Sequence, residues 1–543
     1  MIWRIGAIVT AALVALPLLG LASSLLAGRG EMWRHLAETQ LDDIIANTAV
    51  LLLGVGVGTT AIGTGTAWLV TMHRFPFSRT FEWGLILPLV LPTYIIGYAY
   101  AVLLDFAGPL QGSLREITGW HRADYWFPEP SSALGVAALF TLVLYPYVYL
   151  AARAAFLSQS QPLLEASRIL GRGPWRTFFA VGLPMARPAI AAGAALALFE
   201  ALADFATVQY YGVPTFTTAI YRIWYGMGDR EGAAQVAVVL LAIAVLLILL
   251  ERRSRGRARF HVASNLRDNA GPSNLAGWRA AAAGAACALP VLLGFAVPAT
   301  HLFQLAARSD MPLAASALPR DAMHSLLLAA VAAVVIAGLG LFLAYAGRLV
   351  RQRRFNRMIE FAALGYAIPG AVIAVGILLP LTAADRLLGH TANDLFGLSI
   401  GLVLSGTPVA LLLAYTVRFL AVGIANIAPG LAAIDPAMDA SAQILGARPS
   451  TILRRIHLPM LRGPAITAAI VAFVEVLKEL PATLLIRPFN FDTLAVGVYR
   501  FASDERLAEA AAGALLIVAA SLIPVILLSR SIAAAATSSR RGP

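Results

Sequence analysis

About twelve apolar runs, each of roughly twenty residues, leave this chain few folds to choose from. They fall near 5–27, 46–71, 83–106, 132–156, 187–210, 232–250, 279–303, 323–347, 360–382, 396–420, 464–486 and 510–529. A run of that length crosses a hydrocarbon core of ~30 Å as a helix, whereas outer-membrane strands come as short alternating segments. With 59% hydrophobic and only 13% charged residues among 543, the composition departs from soluble domains, which carry about a quarter charged residues. The expected fold is an all-α polytopic membrane protein, its spans arranged as two parallel six-helix repeats.

A polar insert between the fourth and fifth runs returns between the tenth and eleventh. EASRILGRGPWRTFFAVGLPMARPAI begins at Glu165, and ASAQILGARPSTILRRIHLPMLRGPA begins 275 positions later at Ala440, without a gap. Gly171 pairs with Gly446, Pro174 with Pro449 and Arg187 with Arg462, while Leu183, Pro184 and Met185 pair with Leu458, Pro459 and Met460. Asn47 and Thr48 match His324 and Ser325 at an offset of 277, as Leu91, Pro92 and Thr93 match Ile368, Pro369 and Gly370. Glu200 and Asp204 match Glu475 and Glu479 at 275. The chain therefore divides into a half at 1–250, a basic polar linker at 251–277 and a half at 278–543, with inserts at 157–186 and 431–463.

Each insert reads as helix, break, helix. Pro162 opens the first turn, Leu163, Leu164, Ile169 and Leu170 give it an apolar side, and Gly171, Gly173 and Pro174 interrupt it. A second short helix at 175–181 is expected to end near Leu183 and Pro184, where the chain re-enters the bilayer. Pro436, Ile444, Leu445, Gly446, Leu458 and Pro459 repeat the pattern. A short amphipathic helix between breaks suits a groove on another protein; the alternative is a helix lying on lipid.

The formal charge of +12 does not imply nucleic acid. With both termini placed in the cytoplasm, the basic residues gather on the inner side, and the clusters at 252–259 and 348–357 follow spans directly, as orientation and contact with anionic membrane lipid require. The first run, led by Arg4, is too long for an ordinary signal core and is read as a retained helix. Lys478, the only lysine, lies in VLKELP and not in a Gly-rich phosphate loop, so the chain is not its own P-loop ATPase. Cys287 stands alone, which leaves no internal disulfide. Eight scattered histidines and no nucleophile constellation argue against a membrane enzyme. The outer segments are short; the longest, about 105–131, carries Trp120, Tyr125, Trp126 and Phe127, either interfacial aromatics or a partner's landing surface.

Glu200, Asp204, Glu475 and Glu479 fall within spans, each pair spaced to share a helix face, and Lys478 is the base expected among the spans. Charge at that depth faces a water-filled path or a partner. Two readings stay open: the four line a translocation path, or they are paired structurally, with Lys478 neutralising Glu475. Packing or interfacial roles are expected for Tyr94, Tyr98, Tyr100, Tyr145, Tyr147 and Tyr149.

The inserts resemble the EAA motif of ABC importer permeases. Glu165, Ala166, Ser167, Gly171, Val181, Leu183 and Pro184 fit it; Ala440, Ser441, Ala442, Gly446, Ile456, Leu458 and Pro459 fit except at the first position, where Asp439 stands one residue early. That shift turns the carboxylate by about 100° on a helix. The resemblance covers nearly the whole chain. It implies a type I importer permease of the bacterial inner membrane, with each insert a coupling helix seated on one of two cytoplasmic ABC ATPase subunits. Glu165 or Asp439 would meet the ATPase, and the glycine would turn the chain. ATP and Mg would bind the ATPase, and this chain would bind no cofactor. A periplasmic substrate-binding protein would deliver the cargo. FEALADFATVQYYGVPTFTTAIYRIW and FVEVLKELPATLLIRPFNFDTLAVGVYR further resemble fused ferric-iron importer permeases, which implies Fe(III) as substrate. Thiamine, polyamine or phosphonate import, and secondary cation transport, remain the alternatives.

Overall fold

The computed structural model describes residues 2–26, 28, 31–158, 167, 173–255, 273–308, 312–350 and 352–538. Helices dominate it. They are α1 (Ile2–Ser24), α2 (Leu41–Met72), α3 (Thr93–Leu104), α4 (Ala133–Ser158), α5 (Leu183–Ala203) and α6 (Arg230–Arg255). The second half supplies α7 (Gly277–Val291), α8 (Pro312–Val350), α9 (Gly370–Phe396), α10 (Pro408–Ala432), α11 (Arg462–Leu477) and α12 (Leu507–Ser538). Among the described residues, ten helices are long and apolar enough to cross a membrane, and α11 joins Pro449–Met460 through a 77° bend as an eleventh. The twelfth run appears as a shorter apolar stretch, Leu507–Leu522.

Several expected spans begin or end elsewhere, and prolines account for most of the differences. The third run does not form one helix: Leu91 and Pro92 are extended, at φ −89°, ψ 117° and φ −56°, ψ 145°, before α3 starts. Ile368 and Pro369 repeat these angles, at φ −86°, ψ 123° and φ −54°, ψ 141°, before α9. A residue ahead of proline is driven out of the helical region, and proline then suits the new helix's start. The duplication seen in the sequence is thus repeated in backbone geometry. The tenth run, expected at 396–420, is displaced: α9 continues to Phe396, Gly397 stops it at φ 63°, and α10 begins only at Pro408. Between them the Asp385 carboxylate collects the N–H groups of Val403, Leu404 and Ser405 at 2.8–3.1 Å.

Neither insert ends a helix at its Leu-Pro pair. The chain stays helical from Trp175 to Ala203 through Leu183 and Pro184. Proline lacks the N–H for an interior bond and its ring crowds the preceding turn. That turn is widened here: Phe178–Gly182 is π-helical, with the Leu183 N–H on the Phe178 carbonyl. Leu453–His457 does the same ahead of Pro459, and Leu292–Ala296 ahead of Pro298. In the second insert the break falls later, at Leu461 (φ −93°, ψ 7°).

The chain resolves into two compact units that cut across the sequence repeat. One contains Met1–Leu36, Ala219–Leu241 and Ser309–Pro543; the other contains Ala37–Thr218 and Ala242–Arg308. The opening helix of each half is thereby grouped with the other half's helices. Within the first unit, α1 meets α9 where Gly20 and Gly376 bring the backbones together. In the second, Tyr100 on α3 donates to the Leu293 carbonyl at 2.6 Å, just past α7. Small residues set the closest approaches, as membrane helices require. A Cβ on Gly340 of α8 would stand 2.6 Å from Gly423 of α10, and one on its repeat mate Gly63 of α2 would stand 2.7 Å from Val148 of α4. Tyr94, Tyr98, Tyr100, Tyr145 and Tyr149 are buried side chains, the packing role expected for them. Cys287 is buried on α7.

Candidate functional site

The second insert is described throughout. Asp435 caps the helix Pro436–Ile444 by accepting from the Ala437 N–H at 2.8 Å, with Pro436 in the first position. Gly446 then takes φ 80°, while the Ala447 N–H reaches Ala442 and the Gly446 N–H reaches Gln443. This is a Schellman stop, whose left-handed residue is most often glycine. It leaves Ile444 and Leu445 at the tip, each 86% exposed. Ala440, Ser441, Leu458 and Pro459 are exposed as well.

Asp439 points inward, away from that exposed surface. It receives Arg348 Nε at 2.7 Å and His457 Nε2 at 2.6 Å. The Arg348 guanidinium also donates to the Leu431 and Ile434 carbonyls at 2.6 and 3.0 Å, where α10 gives way to the insert. Tyr345, one turn earlier on α8, donates to the Pro449 carbonyl at 2.8 Å and packs edge-on against His457. Burial alone would raise the Asp439 carboxyl, yet the bonds from Arg348 and His457 hold it below the usual carboxylate range. Sequence reasoning does not find Arg348, Tyr345 and His457 as partners; by position alone Arg348 belongs to the basic cluster at 348–357 that follows a span.

Of the first insert, Glu165, Ala166 and Gly171 lie outside the described residues. Ser167 is buried with its hydroxyl 3.2 Å from that of Thr177. Leu183 is partly buried and Pro184 exposed on the continuous helix. The repeat mates of the inward cluster are Leu164, Gly182, Thr71 and Trp68 for Asp439, His457, Arg348 and Tyr345. Trp68 fills the room a side chain at 182 would need, since a Cβ there would stand 2.6 Å from its ring. One half thus uses an indole against a glycine where the other uses a phenol, an imidazole and an ion pair.

The span carboxylates are divided between the two units. Asp204 ends α5, and its carboxylate accepts from the Thr93 hydroxyl at 2.6 Å and from the Thr207 N–H at 2.9 Å, capping the short helix Ala206–Tyr210. Glu479 caps Pro481–Ile486 likewise, taking the Ala482 and Thr483 N–H groups at 2.9 and 3.0 Å. Arg418 Nη1 adds a bond at 3.1 Å, with both side chains almost wholly buried. Gly370, the mate of Thr93, makes room for this pair, because a Cβ there would strike the guanidinium and stand 2.7 Å from Glu479. Lys478 is therefore not the only base within the spans: Arg418 stands at the end of the expected tenth run, and the displaced α10 brings it near the helix's middle. Glu475 and Lys478 pair at 2.9 Å and stay partly exposed, and Glu200 is partly buried. Among the described residues no three His, Cys, Asp or Glu side chains gather as a metal site.

The pattern of the binding-protein-dependent transport system inner membrane component matches residues 59–255. The chain is 25% identical over 483 residues to the Fe(3+)-transport system permease protein FbpB 2 of Haemophilus influenzae, covering 88% of this chain and 87% of that one. It is 31% identical over 202 residues to the molybdenum transport system permease protein ModB of Escherichia coli, covering 35% of this chain and 85% of that one. Identity to the ferric transport system permease protein FbpB of Actinobacillus pleuropneumoniae is 24% over 486 residues, or 83% and 66% of the two chains.

Proposed function

This chain belongs to the inner-membrane components of binding-protein-dependent transport systems, and from that premise we propose that it imports ferric iron by alternating access. It is a permease subunit and not an enzyme; ATP hydrolysis belongs to a separate subunit. Two copies of that cytoplasmic ATPase, carrying ATP and Mg, would seat the two inserts, and a periplasmic binding protein would deliver the ion. Both termini then lie in the cytoplasm, on the side of the inserts.

The observation that carries the coupling role is the tip of the second insert. Two large apolar side chains, Ile444 and Leu445, stand in the open on a turn fixed by Gly446, a shape suited to a protein groove. Glu165, Ala166, Ser167, Gly171, Leu183 and Pro184 would serve the first copy, and Ala440, Ser441, Gly446, Leu458 and Pro459 the second. Iron is favoured because the relatives that share the full two-half length of this chain are the ferric permeases, whereas the molybdenum permease, matched over 85% of its own length, is only about as long as one half. For the path, Glu200, Glu475 and Lys478 are the candidates that retain exposure, while Asp204 and Glu479 hold the broken helix ends.

Proteoliposomes containing this chain, its ATPase and its binding protein test the reading. Fe(III) uptake should require ATP and exceed uptake of molybdate, thiamine or putrescine. Uptake of molybdate alone would replace the cargo, and uptake on an ion gradient without ATP would reject the importer.

A further inference from the structure

We propose that Arg348, Asp439 and His457 form a strut that positions the second insert on α8 and transmits its movement, instead of offering Asp439 to the ATPase. The inference rests on the permease reading above. Three observations carry it. The Asp439 carboxylate is spent inside the protein, one oxygen on Arg348 and the other on His457, and its side chain is only 15% exposed. Arg348 belongs to α8, yet its guanidinium reaches the last carbonyls of α10 and the first turns of the insert together. His457 is fully buried on the far side of the insert, so the acid bridges the insert's outgoing and returning arms.

The geometry makes the insert a braced unit. A displacement of Pro436–Ile444 must either carry α8 with it or break a buried, charge-assisted bond. Tyr345 ties the returning arm to the same helix through Pro449. At the repeat-equivalent positions of the first half stand Thr71, Leu164 and Gly182, none of which carries a charge. The second insert's strut is therefore not repeated at the equivalent positions of the first.

The test compares Arg348→Gln, Asp439→Asn, His457→Gln and His457→Leu in the reconstituted complex. Two quantities are read: ATPase subunit retained on the purified permease, and solute imported per ATP for whichever of Fe(III), molybdate or thiamine the wild type carries. Arg348→Gln and Asp439→Asn should retain the ATPase, while import per ATP falls roughly tenfold, the scale of an ordinary coupling energy. The His457→Gln amide can still donate to Asp439 and should stay near wild type; His457→Leu should fall with the other two. Unchanged import per ATP in Arg348→Gln and Asp439→Asn would overturn the strut. Loss of the ATPase from Asp439→Asn alone would overturn it too, by making Asp439 a docking contact. Should the Arg348 and Asp439 variants fail to accumulate, the histidine pair decides, and equal behaviour of Gln and Leu rejects the proposal. A wild-type complex that binds ATPase but imports nothing with ATP would instead sink the permease reading itself.

Discussion

Removing the Arg418 guanidinium would strand Glu479, 1% exposed, against N–H donors too few to replace a full charge partner. Arg418→Met should therefore destabilise by about 3–5 kcal/mol, the cost of breaking a buried pair from one side. Thr93→Val, which removes only a neutral hydroxyl from Asp204, should cost about 1 kcal/mol. Unfolding in detergent, followed by tryptophan fluorescence, checks the order. These sites show how far single residues can be read from sequence. Glu475 and Lys478 sit one helical turn apart, so their pairing was visible as one alternative. Arg418 lies 61 positions before Glu479 and Arg348 lies 91 before Asp439, so neither partner leaves a local signal. Only the folded bundle brings them together.

Elements obey local rules better than side chains do, and they depart where a local rule has two solutions. Some prolines, Pro17, Pro146 and Pro380 among them, sit within helices; one that interrupts an apolar run ends the helix or widens the turn before it. At Pro92 and Pro369 the first solution holds; at Pro184 and Pro459 the second does, and the expected re-entry points vanish into continuous helix. Gly446 was legible as a turn because little else tolerates φ 80°. Gly446→Val should cost about 1–2 kcal/mol there and reduce ATP-driven uptake, whereas Gly446→Asn, which enters that region more readily, should retain most of it. Uptake with bound ATPase, measured side by side, separates the two. The anchor of the same element has a pH signature. A carboxyl held low by folding contributes stability above its unfolded value and loses it as pH falls through its folded value. Protease cleavage of the second insert should therefore stay slow between about pH 7 and 5 and quicken only below the ordinary carboxylate range. Asp439→Asn should abolish that acid step.

At the scale of the molecule, apolar runs and the repeat made the helical class and the duplication plain. They did not reveal that α1 and α7 are grouped with the opposite halves, because a run's hydropathy says nothing of its neighbours. The grouping predicts that a chain cut within 256–272, with its two pieces expressed together, still assembles. A tag on one piece should recover the other in about equal amount, and recovery should drop when residues 1–36 are deleted.

That exchange also sets a timetable for biosynthesis. Gly376 leaves the ribosome roughly 350 residues after Gly20, about 20–70 s at ordinary elongation rates. Through that delay the Gly20 face of α1 waits in the bilayer without its final mate, while Gln235 and then Phe342 and Tyr345 reach other parts of the helix earlier. Its mean hydropathy of 2.3, with one arginine at the very start, equips it to wait.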